Sequence, residues 1–257
     1  MKFPFLLSLD LLRSKIFRAF AADRDSATIF HLSPAVFSSS NQKEIDAESD
    51  PNAAGMEIPA SIISQTAAPI LWLGSEEPLQ HPVIGRISAA LNQAGRNVFL
   101  HTGGVRLRQR IHEFRPDPRL FLTVELAGRQ EIHDEFTAPG TFRRVIEGIR
   151  AAKLSGFHVC THVTVNAQTQ VCETGELFEY LDNYGVDGFI VSSGGRPIES
   201  SWGSELQEKL DEIRSLVRCS RWEYFSSLLE ASYVAPREKN AAVTLPGSDA
   251  GAYEENA

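Results

Sequence analysis

Three residues able to bind a metal or carry a proton, His158, Cys160 and His162, occupy alternate positions in the run FHVCTHVTV (157–165). In an extended strand successive side chains point to opposite faces. The three therefore share one face, and Phe157, Val159, Val163 and Val165 share the other. Same-face neighbours stand about 7 Å apart, near enough to contribute to one site. By the same parity Glu125, near the end of RLFLTVEL (119–126), faces inward, and His101 in NVFLHT (97–102) is placed to join it. Imidazole, thiolate and carboxylate are ligands for zinc or iron. Two readings stay open: a metal-dependent enzyme with His158, Cys160 and His162 as ligands, or a polar lumen whose histidines bond to one another and to water. No helical H-x3-H or C-x2-C accompanies them, which weighs toward the second.

A scaffold must hold these groups. From residue 69 onward short apolar runs alternate with helical spacing: PILWL (69–73), a helix over 81–95, NVFLHT, a helix over 105–114, RLFLTVEL, a helix over 141–156, FHVCTHVTV, a helix over 175–185 and VDGFIVSS (186–193). Pro82 opens the second of these segments and Gly95 closes it. Helices over 203–217 and 221–232 follow. Strands joined by helical crossovers pair in parallel with right-handed connections. With ATIFHL (27–32) counted there are six units. The class is α/β, a six-unit (β/α) partial TIM-like barrel. A barrel is favoured over an open sheet because a strand under helices on both faces rarely holds His158, Cys160 and His162 in its core.

The chain has 257 residues, 42% of them hydrophobic, with net charge −8 and three cysteines. That suffices for one large domain. Interspersed charges argue against a nucleic-acid partner, which needs a concentrated basic face. Sparse cysteines argue against a disulfide framework and for the cytoplasm. Residues 1–22 read as an amphipathic helix with Leu6, Leu9, Leu12, Ile16, Phe17 and Phe20 on one side, too short and charged to span a bilayer. It docks on the barrel or lies on a membrane surface. Residues 23–56 hold the first strand and a mobile loop, 57–234 the barrel and C-terminal helices, and 235–257 a disordered tail.

Several motifs carry chemistry in order: LWLGSEEPLQHP (71–82), VFLHTGG (98–104), LFLTVELAGRQEIHD (120–134) and GTFRRVIEGI (140–149). On these the sequence resembles the radical SAM superfamily over about 70–195, most closely the hopanoid-biosynthesis branch that forms adenosylhopane. The resemblance implies S-adenosylmethionine and a [4Fe-4S] cluster as cofactors. Ser75, Glu76, Glu77 and Pro78 stand where the superfamily has its G-G-E-P loop, with Glu76 placing a charge where no side chain is expected. Thr102, Gly103 and Gly104 stand for the T-N-G turn, and Glu125, Leu126, Ala127 and Gly128 for the S-L-D-G strand end. His133 and Asp134, with GTF at 140–142, read as supports of turn geometry. His81 reads as a helix-boundary residue, and Arg106, Arg108 and Arg110 as a solvated face.

The C-x3-C-x2-C that holds the superfamily's cluster is absent, and Cys160, Cys172 and Cys219 do not have its spacing. The expectation is a degenerate, non-catalytic binding or regulatory barrel with neither cofactor, related to hopanoid or lipid modification. Its ligand is a protein partner, a small molecule or a lipid. The alternative is a radical SAM enzyme, transferring adenosyl to a lipid or other carbon substrate, with a divergent cofactor site.

Overall fold

Apolar runs bounded by turn residues form six strands in a computed structural model that describes residues 3–20, 28–37, 68–194 and 203–234. They are β1 (Ile29–Leu32), β2 (Ile70–Leu73), β3 (Asn97–Thr102), β4 (Leu120–Glu125), β5 (His158–Thr164) and β6 (Gly188–Ser192). Every neighbouring pair is parallel and the order follows the chain. Helix α1 (Phe5–Phe20) precedes β1, and α2 (Ile84–Gln93) links β2 to β3. The short α3 (Leu107–Arg110) lies between β3 and β4, and α4 (Gln130–Phe136) with α5 (Thr141–Leu154) between β4 and β5. Helix α6 (Val171–Asp182) precedes β6, and α7 (Gly203–Ser215) and α8 (Ser220–Val234) follow it. Most of the loop expected within 23–56, and the tail 235–257, lie outside the described residues.

The sheet is curled. Trp72 on β2 meets the edge of His162 on β5 with ring centroids 5.5 Å apart. In a flat sheet three strand spacings of about 4.8 Å would hold them about 14 Å apart. The outer strands β1 and β6 do not pair, and α8 stands between them. Ser226 Oγ accepts from Val191 N at 3.0 Å, Glu230 from Ser193 N at 2.7 Å, and Ser232 Oγ lies 2.8 Å from His31 Nε2. This is the expected partial barrel.

Its inside has two layers. Toward the strand N-termini, Phe99 stacks on Phe121 at 4.4 Å and on Phe225 of α8 at 4.6 Å. Trp222 of α8 lies so close to Gly188 that a Cβ there would stand 2.2 Å from the indole, which restricts the position to glycine. Above this apolar floor lie Trp72, His101, Glu125, His162 and Ser192. Outside, the helices cover the opposite faces of the strands, with Phe178 stacked on Phe189 at 4.2 Å. Val163 and Val159 are fully buried. Val163 shares parity with Thr161, the partner of Val124, and Val124 and Val145 of α5 both flank Gly104. The helix-facing side of β5 is therefore the expected one.

Two expectations are corrected. Residues 105–114 are not one helix: α3 spans four residues and a 3-10 turn, Ile111–Glu113, follows. Arg110 is the reason. Its guanidinium donates to the carbonyls of Leu79 (2.5 Å), His81 (2.9 Å) and Pro82 (3.1 Å) and pairs with Glu113, so the segment is tied across the loop after β2. Arg110 is a loop clamp and not part of a solvated face.

The second concerns α1. It packs through Phe3, Leu7 and Leu11, while Leu12 and Ile16 of the expected apolar side are exposed. A polar anchor sets the rotation: Asp10 accepts from Asn97 Nδ2 at 2.9 Å and pairs with Arg119, which fixes α1 across the N-terminal ends of β3 and β4. Among the described residues no helix is long and apolar enough to cross a membrane.

Candidate functional site

The loops after β2 and β3 meet at Glu77. Its Oε1 accepts from Thr102 Oγ1 at 2.6 Å and Leu79 N at 3.0 Å, and its Oε2 accepts from Gly103 N at 2.9 Å. Pro78 opens the 3-10 turn Pro78–Gln80 that Glu77 caps. The Thr102 hydroxyl in turn accepts from Gly104 N at 3.0 Å. Gly104 has φ +75°, a conformation that glycine adopts without strain. The structure thus brings Glu77, Pro78, Thr102, Gly103 and Gly104 together at one end of the barrel. Ser75 and Glu76 are exposed beside them. His81 is a boundary residue, but of the 3-10 turn whose C-terminus it caps; α2 begins at Ile84 with Val83 as its N-cap, so Pro82 does not occupy the expected first helical position.

Asp134 supports the next connection. Its carboxylate accepts from Phe142 N (2.7 Å), Gly140 N (2.9 Å) and Thr141 Oγ1 (3.1 Å), so it satisfies the free N–H groups at the start of α5 from outside that helix. Those bonds hold its carboxyl below the usual range. His133 is buried, and its Nδ1 lies 3.4 Å from Ala127 N.

In the polar layer, His162 Nδ1 lies 2.9 Å from His101 Nε2, and His162 Nε2 lies 2.8 Å from Ser192 Oγ. Glu125 Oε2 is 3.8 Å from His101 Nε2, and Glu125 Oε1 accepts from Thr164 Oγ1 at 2.9 Å. The His101 ring packs against Gly74, where a Cβ would stand 3.0 Å from Nδ1. One ring proton lies between His101 Nε2 and His162 Nδ1, and the Ser192 hydroxyl meets the other nitrogen of His162, so two rings and a hydroxyl form one hydrogen-bonded chain. Burial, and then the His101 charge, push His162 well below the ordinary imidazole range. Burial also lowers His101, against the opposing pull of Glu125, the Gly74 backbone and Glu77.

His158 and Cys160 do not join this layer, which corrects the ligand set His158, Cys160, His162. His158 sits four residues below His162, about 13 Å along the strand. There its ring stacks on Phe121 at 5.3 Å and its Nδ1 lies 3.6 Å from Asp187. Cys160 is fully buried, and burial, with Asp187, pushes its thiol well above the ordinary range. His101 takes their place because curling carries β3 toward β5. Ser192 was missed, although strand parity in β6 could have found it.

The chain is 31% identical over 143 residues to the AdoMet-dependent heme synthase of Methanosarcina barkeri (strain Fusaro / DSM 804). The match covers 54% of this chain and 41% of that protein, so the chain spans less than half the length of this relative. It is also similar to Streptococcus suis SuiB bound to S-adenosylmethionine, at 14% identity and TM-score 0.43, over 55% of this chain and 35% of that one. Archaeal TYW1 gives 14% identity and TM-score 0.43 over 60% and 56% of the two chains. No family model matches the chain. The match to the heme synthase supports a place for this chain with the radical SAM superfamily.

That superfamily's cluster rests on thiolates converging on one iron–sulfur core. Here Cys160 is enclosed midway along β5, Cys172 is exposed on α6 beyond the C-terminal end of β5, and Cys219 precedes α8. Trp222, one turn on from Cys219, donates to the Asp187 carbonyl below β6, at the opposite end of the barrel. The thiols do not fit a four-iron cluster. At the positions that the resemblance would give to S-adenosylmethionine, three donors of the chain itself occupy Glu77, leaving one of about four acceptor places for a ligand amino group. Ala127 has no polar side-chain atom. The fit to S-adenosylmethionine is poor.

Proposed function

We propose that the chain is a radical-SAM-like barrel that works without its own [4Fe-4S] cluster, as a binding or regulatory paralogue and not a catalyst. The observation that carries this reading is the dispersal of Cys160, Cys172 and Cys219 to separate places while the barrel and its Glu77–Thr102 junction are intact. Among the described residues, Glu125, Thr164 and the loops at 74–81 and 102–104 gather polar groups at the C-terminal ends of the strands, which suits a small polar ligand or an extended segment of a protein partner. The motif order over 71–149 relates this role to hopanoid or other lipid modification. S-adenosylmethionine binds weakly or not at all, because Glu77 keeps only one acceptor place beside the chain's own donors and Ala127 offers no polar side-chain atom.

A second reading is a radical SAM enzyme with a divergent cofactor site. It is favoured by the likeness to a relative named as AdoMet-dependent. Anaerobic reconstitution with iron and sulfide, followed by metal, sulfide and S-adenosylmethionine binding measurements, separates the two. The first reading expects a colourless protein without bound cluster. A brown protein with stoichiometric iron and sulfide and tight S-adenosylmethionine binding overturns it in favour of the second.

A further inference from the structure

We propose that His101, Glu125 and His162 form a site for one divalent transition-metal ion of the zinc class, independently of any iron–sulfur chemistry. The candidate donor atoms of these three side chains, each on a different strand, lie within 4.8 Å of one another. Two imidazoles and one carboxylate are a ligand set used for zinc and for related first-row ions. Donors bound to one ion at about 2.1 Å stand roughly 3.0–3.4 Å apart. The His101 Nε2 to His162 Nδ1 distance is 2.9 Å, so the rings need to part by only a few tenths of an ångström. Glu125 Oε2 starts 3.8 Å from His101 Nε2 and must swing inward. Its side chain is 44% exposed at the barrel mouth and has room to do so.

The surroundings supply what metal-binding histidines require. A ligating imidazole donates its other N–H to a carbonyl, carboxylate or hydroxyl, which fixes the ring. For His162 that acceptor is Ser192 Oγ, 2.8 Å from Nε2, which takes the ring proton when Nδ1 meets the ion. The His101 ring is held in place by Gly74, where a Cβ would stand 3.0 Å from Nδ1. Thr164 holds the other Glu125 oxygen. Trp72, 5.0 Å from the His101 ring, forms an apolar wall behind the pair. Three protein donors leave a position for water or for an oxygen of a bound ligand on the side of Glu125.

The test uses the full chain, stripped with a chelator and titrated with cobalt(II), then with zinc(II) in competition. The expected result is one ion per chain, with cobalt visible absorption of a nitrogen and oxygen site and displacement by zinc. Glu125→Gln, His162→Asn and His101→Gln should each weaken binding at least about tenfold, and Ser192→Ala by a similar factor through loss of ring orientation. Cys172→Ser, at an exposed position on α6, should leave it unchanged. Circular dichroism checks the fold of each variant, and Glu125→Gln, at the exposed mouth, stays informative if a histidine variant fails to fold. Substoichiometric cobalt, a thiolate charge-transfer band, or binding that survives Glu125→Gln in a folded protein overturns the proposal.

Discussion

Glu77 and Thr102 are joined by a 2.6 Å hydrogen bond that ties the loop after β2 to the turn after β3. Bonds to a charged carboxylate are worth roughly 1.5–3 kcal/mol when buried or partly so. Glu77→Gln keeps the shape but offers one oxygen to donors that now take two. It should lower stability by about 1–3 kcal/mol in urea unfolding. Thr102→Val should cost less in the Glu77→Gln background than in the wild type, and equal costs in both would show the bond to be energetically idle.

Val163 and His162 are adjacent on β5 and face opposite ways. Val163→Asp buries an unpaired charge under the helices, at a cost of several kcal/mol out of a typical total of about 5–15. It should give insoluble or unfolded protein. His162→Asn, whose amide can still bond within the polar layer, should remain folded. Thermal melts of both decide it, and the reverse order would invert the face assignment of the strand.

His31, on β1 beside Trp72 and Tyr233, has its pKa lowered to about 4, first by burial and then by His101. In the unfolded chain it titrates near 6.5. Between these values the unfolded state binds the extra proton, so stability is full above about pH 6.5 and is lost as pH falls toward 4. The shift corresponds to about 3 kcal/mol at the lower limit. Unfolding measured from pH 7.5 to 4 should show this loss, and His31→Gln should flatten that part of the profile.

Asp10 anchors α1 to Asn97 and Arg119. Asp10→Ala should cost about 1–3 kcal/mol by leaving both partners unsatisfied. It should also raise hydrogen exchange across α1 while β4 stays protected. An unchanged exchange pattern would mean that the apolar packing of Phe3, Leu7 and Leu11 holds the helix without the anchor.

The strand positions were legible because each apolar run is short and followed by turn residues, and NVFLHT and RLFLTVEL fall on β3 and β4 within a residue or two. Strand parity placed Glu125 and His162 on the inner face. It could not show which residues share a layer, since that depends on how far the sheet curls. His158 therefore went to Asp187, and His101 came to His162 from two strands away. The rotation of α1 was hidden for a similar reason: an apolar stripe does not reveal that the half-buried Asp10 has partners waiting at Asn97 and Arg119. Arg110 looked like any surface arginine because its three carbonyl acceptors lie at 79–82, on another element.

Helix α8 joins the two ends of the sheet through side chains, Ser226 and Glu230 to β6 and Ser232 to β1, and not through a backbone ladder. It is also the last described element along the chain. Among the described residues no strand covers the free edges of β1 and β6, so until residues 220–234 leave the ribosome these edges are templates for pairing with another copy. A stop or frameshift shortly before Ser220 would therefore leave an aggregation-prone ribbon with two open borders, and not a smaller working barrel.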